Sequence, residues 1–212
     1  MPSLLDSIDA AHHLASAEAL EAVYGDPVPQ SEAKEIDYIS DHYRAFVEAS
    51  PFMVLSTVGP EGTDCSPRGD PPGFVRVHDR NTLLLPDRRG NNRIDSLRNI
   101  VRDPRVSLLF LIPGVGETLR VNGRATIVTD PDLCASFELQ GKLPRSVIVV
   151  TAERVYFQCQ KALARSRLWD PETQIARSEL PSTGTMIQAL LSDFDGSAYD
   201  ANYPEHMKKT IY

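Results

Sequence analysis

The spacing of apolar residues changes twice along the chain. Leu4, Leu5, Ile8, Ala11, Ala15 and Leu20 form a loose stripe that predicts a helix from about Leu4 to Val23. Tyr24–Pro29, with two prolines, interrupts it. A second helix is predicted after Ser31, with Ile36, Ile39, Tyr43, Phe46 and Val47 on one face. It should stop near Ala49, because the residue before Pro51 disfavours the helical region. Strands then dominate. Phe52–Val58, the turn Gly59–Gly62 and Thr63–Arg68 read as a hairpin, and a rigid loop, Gly69–Gly73, leads to strands at Phe74–His78 and Thr82–Leu85. Pro86 is expected to end the last of these. Val106–Ile112 is apolar almost throughout and reads as a central strand. In Thr118–Val128, Leu119, Val121, Ala125 and Ile127 alternate with polar residues, and a slip at Gly123-Arg124 predicts a bulge. Short helices are predicted at Pro131–Leu139, Lys161–Leu168 and Thr185–Leu191, with final strands at Ser146–Val150 and Val155–Gln158. The polar tail from Asp193 to Tyr212 has little to hold it unless it docks on a partner chain.

Seven or so strands joined by short turns, with one helix crossing between Leu85 and Val106, predict a mainly β fold: an antiparallel barrel with peripheral helices. Helices do not alternate with strands, and no GxGxxG or GxxxxGK[ST] loop is present, which argues against a doubly wound sheet. Three parts are expected: a helical extension over 1–50, the barrel over 51–170, and a helix and tail over 171–212 that pack on the barrel or on a partner subunit.

The stretch Leu83–Val101, LLLPDRRGNNRIDSLRNIV, concentrates the candidate chemistry. A buried strand delivers Asp87, Arg88, Arg89, Gly90, Asn91 and Asn92 to a helix that opens near Arg93. Asn92 is a suitable N-cap, with Asp95 as its acidic partner in the first turn. Unpaired N–H groups at a helix start, together with forked guanidinium donors, make a natural anion site. A solvated basic loop capping a helix has the same sequence signature.

Composition narrows the field. The chain has 212 residues, a net charge of −7 and 42% hydrophobic residues, as an ordinary soluble domain does. Its acidic balance argues against a nucleic-acid surface. No apolar run approaches a membrane span, and the N-terminus lacks the basic start of a secretion signal, so a cytoplasmic location is expected. The three cysteines are widely spaced and the five histidines scattered, which indicates neither a disulfide framework nor a metal site.

Taken together, FMVLSTVGPEGTDCSPRG, LLLPDRRGNNRIDSL, NIVRDPRVSLLFLIPG and ETLRVNGRATI resemble the pyridoxamine 5'-phosphate oxidase-like FMN-binding split-barrel family. They are most similar to a bacterial branch of probable FMN-dependent proteins of unknown substrate. The resemblance covers about Phe52 to Trp169. It implies a split antiparallel barrel and a homodimer with two FMN molecules at the subunit interface, each touched by both chains. Carried onto this sequence, it places Ser66, Pro67 and Arg68 near the flavin ring or phosphate, with Leu85, Pro86, Asp87 and Arg88 at the strand end. Asn91, Asn92 and Arg93 match the family's serine–arginine–lysine phosphate grip, and Thr118 matches the glutamine beside the ring. Lys161 and Arg165, in a basic segment that resembles the branch's C-terminal motif, would reach the cofactor or a substrate anion.

The sequence departs from the family at one informative place. True pyridoxamine phosphate oxidases carry an Arg-x-His pair after the anchoring tryptophan, whereas Trp169 is followed here by Asp170-Pro171-Glu172. Pyridoxal phosphate synthesis is therefore not implied. Two functional classes stay open: an FMN-dependent oxidoreductase acting on a small molecule, and a split barrel that binds FMN, the deazaflavin F420 or haem without turnover. His78, the one histidine of the barrel segment, lies at a polar strand end, which disfavours haem.

Overall fold

The computed structural model describes residues 3–212, and the chain divides into two compact units. The first ends at Glu35, and the second spans Ile36–Tyr212. In the first, the expected long helix is broken into short 3₁₀ turns at Leu4–Ser7 and Ala10–His12, followed by α1 (Ala17–Tyr24) and α2 (Pro29–Ala33). Ser3, Asp9 and Ser16 each accept from a backbone N–H just downstream, so three N-caps start three separate turns. None of these elements contains a buried residue.

The second predicted helix is also divided. Ile36 exchanges both backbone hydrogen bonds with Val155, at 3.1 and 2.7 Å, so its polar groups go to a strand rather than to a helix. Only α3 (Asp41–Ala49), capped by Ser40, continues as predicted.

Among the described residues of the second unit, seven strands form one antiparallel sheet: β1 (Phe52–Gly59), β2 (Gly62–Gly69), β3 (Arg76–Val77), β4 (Thr82–Asp87), β5 (Arg105–Leu111), β6 (Thr118–Val128) and β7 (Ser146–Gln158). Their order is β2-β1-β5-β6-β7-β4-β3. Helix α4 (Asp95–Arg102) connects β4 to β5, α5 (Pro131–Ser136) lies between β6 and β7, and α6 (Lys161–Ser166), α7 (Thr183–Gln188) and α8 (Gly196–Thr210) follow. Inward-facing Met53, Leu55, Leu83, Leu85, Leu108, Phe110, Leu119, Val121, Ile148 and Val150 are fully buried, as the period-two pattern requires. Ile100 and the half-buried Leu97 of α4 pack against this core.

Two features, in β4 and in β7, differ from the sequence pattern. Pro86 does not end β4; it pairs with Val147, and the strand runs to Asp87. β3 covers β4 only at Leu83 and Leu84, so the edge beyond is open, and an open edge tolerates proline. The two predicted final strands are one continuous β7. Its register against β6 slips where Asn122 faces Arg154 and Gly123 faces Ala152, leaving Glu153 as the extra residue. Gly123 is required at that slip, because a Cβ there would lie 2.0 Å from the Thr151 carbonyl oxygen.

The segment predicted as an unsupported tail is largely the helix α8. It packs on α7 through Gly184 and Gly196, and Asp200 accepts the Gly184 N–H at 2.8 Å and the Ser182 hydroxyl. No helix among the described residues is long and apolar enough to cross a membrane.

Candidate functional site

A cavity of about 880 Å³ opens where the end of β2, the end of β4, the loop before α4 and the start of β7 converge. Antiparallel pairing of β4 with β7 sets Asp87 opposite Ser146, which carries Arg145 to the same place. Five arginines line the cavity (Arg68, Arg88, Arg89, Arg93 and Arg145), along with Asp64, Asp70, Asp87 and Asp95. Pro67, Phe74 and Pro86 supply apolar wall.

Each cation is held differently. Arg88 donates from Nε to Asp70 Oδ2 at 2.7 Å and from Nη1 to the Phe137 carbonyl at 2.8 Å. Its Nη2 makes no hydrogen bond with a described residue. Asp70 is buried (2% side-chain exposure) and Arg88 nearly so (19%). Arg68 folds back onto Ser66 Oγ and the Pro67 carbonyl. Arg145 donates to Asn92 Oδ1 at 3.1 Å, and the exposed Arg93 pairs with Asp95 at 2.8 Å.

The start of α4 differs from the expected cap. Asn92 is in the left-handed region (φ 62°), and so is Ile94 (φ 53°), which occupies the N-cap position without any side-chain cap. Asn91 Oδ1 instead accepts the Arg93 N–H at 3.1 Å, and Asp95 turns to Arg93 rather than answering Asn92. A β-branched residue at positive φ costs roughly 1–2 kcal/mol, which the surrounding structure must offset. No side chain therefore caps the first turn of α4, and that turn faces the cavity. Ser96 Oγ fixes the helix to β2 through Asp64 Oδ2 at 2.6 Å.

Two ionisable groups in the cavity are perturbed. Burial raises the Asp87 carboxyl above its ordinary range, opposed by the nearby positive charges of Arg68 and Arg145. The Tyr212 phenol, which donates to Asp70 Oδ1 at 2.8 Å, is raised chiefly by that hydrogen bond and secondarily by burial.

Of the residues singled out from the sequence, the cavity brings together Ser66, Pro67, Arg68, Pro86, Asp87, Arg88, Asn91, Asn92 and Arg93. Leu85 points into the core, and Thr118, Lys161 and Arg165 are not in the lining. Thr118 pairs with Gln158 at the end of β7, and Lys161 and Arg165 lie on α6, which starts three residues later. Trp169 is an anchor, its Nε1 donating to the Val115 carbonyl at 2.8 Å. Sequence reasoning missed Asp70, Arg145 and Tyr212. Arg145 was recoverable only through the β4–β7 register, and Asp70 and Tyr212 only through tertiary contact.

A family model described as pyridoxamine 5'-phosphate oxidase matches residues 39–159, more than half of the chain. The chain belongs to that family, whose split-barrel fold the sheet reproduces. Solved structures with a similar fold include HupZ from Group A Streptococcus, with 19% identity and a TM-score of 0.44; the match covers 55% of this chain and 91% of that one. General Stress Protein 26 from Bacillus anthracis is similar at 19% identity, over 53% and 88% of the two chains, with a TM-score of 0.39. An FMN-binding protein from Syntrophomonas wolfei is similar at 12% identity, over 54% and 82%, with a TM-score of 0.42. Among curated proteins, no sequence matches this one.

Proposed function

We propose that the chain is a flavin-binding protein whose cavity takes FMN, and that it acts as an FMN-dependent oxidoreductase on a small molecule. The half-engaged guanidinium of Arg88 carries this reading. Two fixed bonds orient it, and Nη2 is left for an anion at the cavity wall. A phosphate dianion suits such a forked donor, supported by Arg68, Arg93, Arg145 and the uncapped first turn of α4. The cavity volume of about 880 Å³ lies within the ~300–1,000 Å³ usual for ligand and cofactor sites. Pro67, Phe74 and Pro86 give a flat ring system an apolar wall beside polar edges. The residues present therefore fit the group.

When bound, the flavin would supply the hydride or electron chemistry. The chain's own part is to hold the phosphate by arginine, orient the ring against the proline and phenylalanine wall, and set the charge around it through Asp87. No metal-binding group of His, Cys, Asp and Glu occurs among the described residues.

The reading includes a homodimer with the cofactor touched by both chains. On this reading Thr118, Lys161 and Arg165, which do not line the cavity, would serve the cofactor bound by the partner. The first experiment is an absorption spectrum of the purified protein, mass analysis of whatever heat releases, and sedimentation of the same sample. Flavin bands, released FMN and a dimer are expected. A colourless protein that also fails to bind added FMN overturns the reading. Reduction of bound flavin by a nicotinamide donor is expected of an oxidoreductase, and its absence with every donor and substrate tried favours binding without turnover.

A further inference from the structure

Ile211 and Tyr212, which follow α8, line the same cavity as Arg88. Asp70 lies between the two side chains and uses both oxygens. Oδ2 accepts from Arg88 Nε at 2.7 Å, and Oδ1 accepts from the Tyr212 hydroxyl at 2.8 Å. The Arg88 guanidinium also lies 5.8 Å from the centre of the Tyr212 ring. One buried carboxylate thus aims the cation and fastens a segment 142 residues away in sequence.

The chain leading to it is largely solvent-facing. Residues 201–209 of α8 are exposed, while Thr210 and Tyr212 are half-buried. Tyr212 joins the chain beyond α8 to the barrel by its hydrogen bond to Asp70 and its ring contact with Arg88.

We propose that Tyr212 is a positioning residue of the ligand cavity: its bond to Asp70 straps Ile211–Tyr212 across the opening, and exchange of a phosphate-bearing flavin requires that bond to break. The proposal rests on the cavity being the flavin site. A strap of this kind has a kinetic signature. Releasing it speeds both arrival and departure of the ligand, whereas a damaged binding wall speeds departure and leaves arrival unchanged or slower.

The test uses the full chain stripped of flavin, with FMN as the probe and stopped-flow fluorescence as the readout. Tyr212→Phe removes only the hydroxyl, and Tyr212→Ala removes the ring contact as well; circular dichroism checks that both fold. Tyr212→Phe is expected to raise the off-rate about tenfold, the loss of one hydrogen bond to a charged acceptor. It should raise the on-rate too, so the dissociation constant changes less than either rate. Tyr212→Ala should go further in both directions. If wild type binds FMN and Arg88→Ala weakens it, but both Tyr212 variants keep wild-type rates, the strap is wrong and the cavity reading stands. A raised off-rate with an unchanged or lowered on-rate also overturns the strap. Failure of the wild-type chain to bind FMN removes the cavity reading and the strap with it.

Discussion

Arg88→Ala is expected to lose both stability and ligand. The side chain is paired with Asp70, whose carboxylate is 2% exposed, and removing one partner of a buried pair leaves the other charge uncompensated. Such losses run to about 3–5 kcal/mol. Tyr212 keeps one hydrogen bond to Asp70, which places the expected cost at the lower end, about 3 kcal/mol. Urea unfolding of the flavin-free chain measures it. The double variant Asp70→Ala, Arg88→Ala should recover much of the loss, because the stranded charge is then gone as well. FMN affinity should fall by about ten- to a hundredfold, the value of one charge-assisted interaction. Arg93→Ala separates the two effects. Its ion pair with Asp95 is largely exposed and contributes little to stability, so it should weaken FMN while leaving the unfolding midpoint in place. Unchanged affinity in both variants would remove the phosphate assignment. An unchanged midpoint for Arg88→Ala would show that Asp70 is not stranded.

What could be seen in the sequence follows from the range of the interactions concerned. β6 is written as apolar/polar alternation, β5 as an apolar run, and β1 and β2 as short runs about a glycine turn, so all four were legible with bounds within a residue or two. The slip near Gly123 was legible too, but its extra residue, Glu153, sits on the opposite strand, where no local pattern marks it. Pro86 looked like a strand end because it has no N–H to donate, while the open edge that lets β4 run through it is set by the short pairing of β3, which no local pattern marks. The N-terminal stripe misled because side-chain caps at Ser3, Asp9 and Ser16 compete with a continuous helix over a loose apolar face.

The candidate site divides along the same line. The loop from Pro86 to Arg93 is one stretch of chain, and its chemistry could be read directly. How each arginine is committed could not. Arg88 is oriented by Asp70 and by a carbonyl of Phe137, 49 residues away, while Arg145 arrives only through strand pairing. Asn92 was a plausible cap by residue type, yet the backbone turns left-handed there and at Ile94, so the helix starts two residues later without one.

Asp87 offers a way to alter the charge balance of the cavity. It sits at the end of β4 beside Arg68 and Arg145, its side chain makes no hydrogen bond with a described residue, and burial raises its carboxyl. The native state therefore favours the protonated acid more than the unfolded chain does, so its ionisation costs stability as pH rises through the raised value. The same ionisation opposes an anionic ligand, because a negative charge then cancels part of the arginine field. A unit charge about 5 Å away contributes roughly 3 kcal/mol at an effective dielectric near 20, less with solvent screening. Asp87→Asn is thus expected to bind FMN about ten- to a hundredfold more tightly than wild type at neutral pH. The gap should close as pH falls through the raised carboxyl value, where the wild-type side chain becomes neutral as well. Riboflavin, which lacks the phosphate, should show a much smaller gap, and it separates the effect of Asp87 from titration of the phosphate itself. Titration of both ligands into both proteins across acid and neutral pH decides the matter. Equal FMN affinities at neutral pH, or a gap as large for riboflavin as for FMN, would place the phosphate away from Asp87, Arg68 and Arg145.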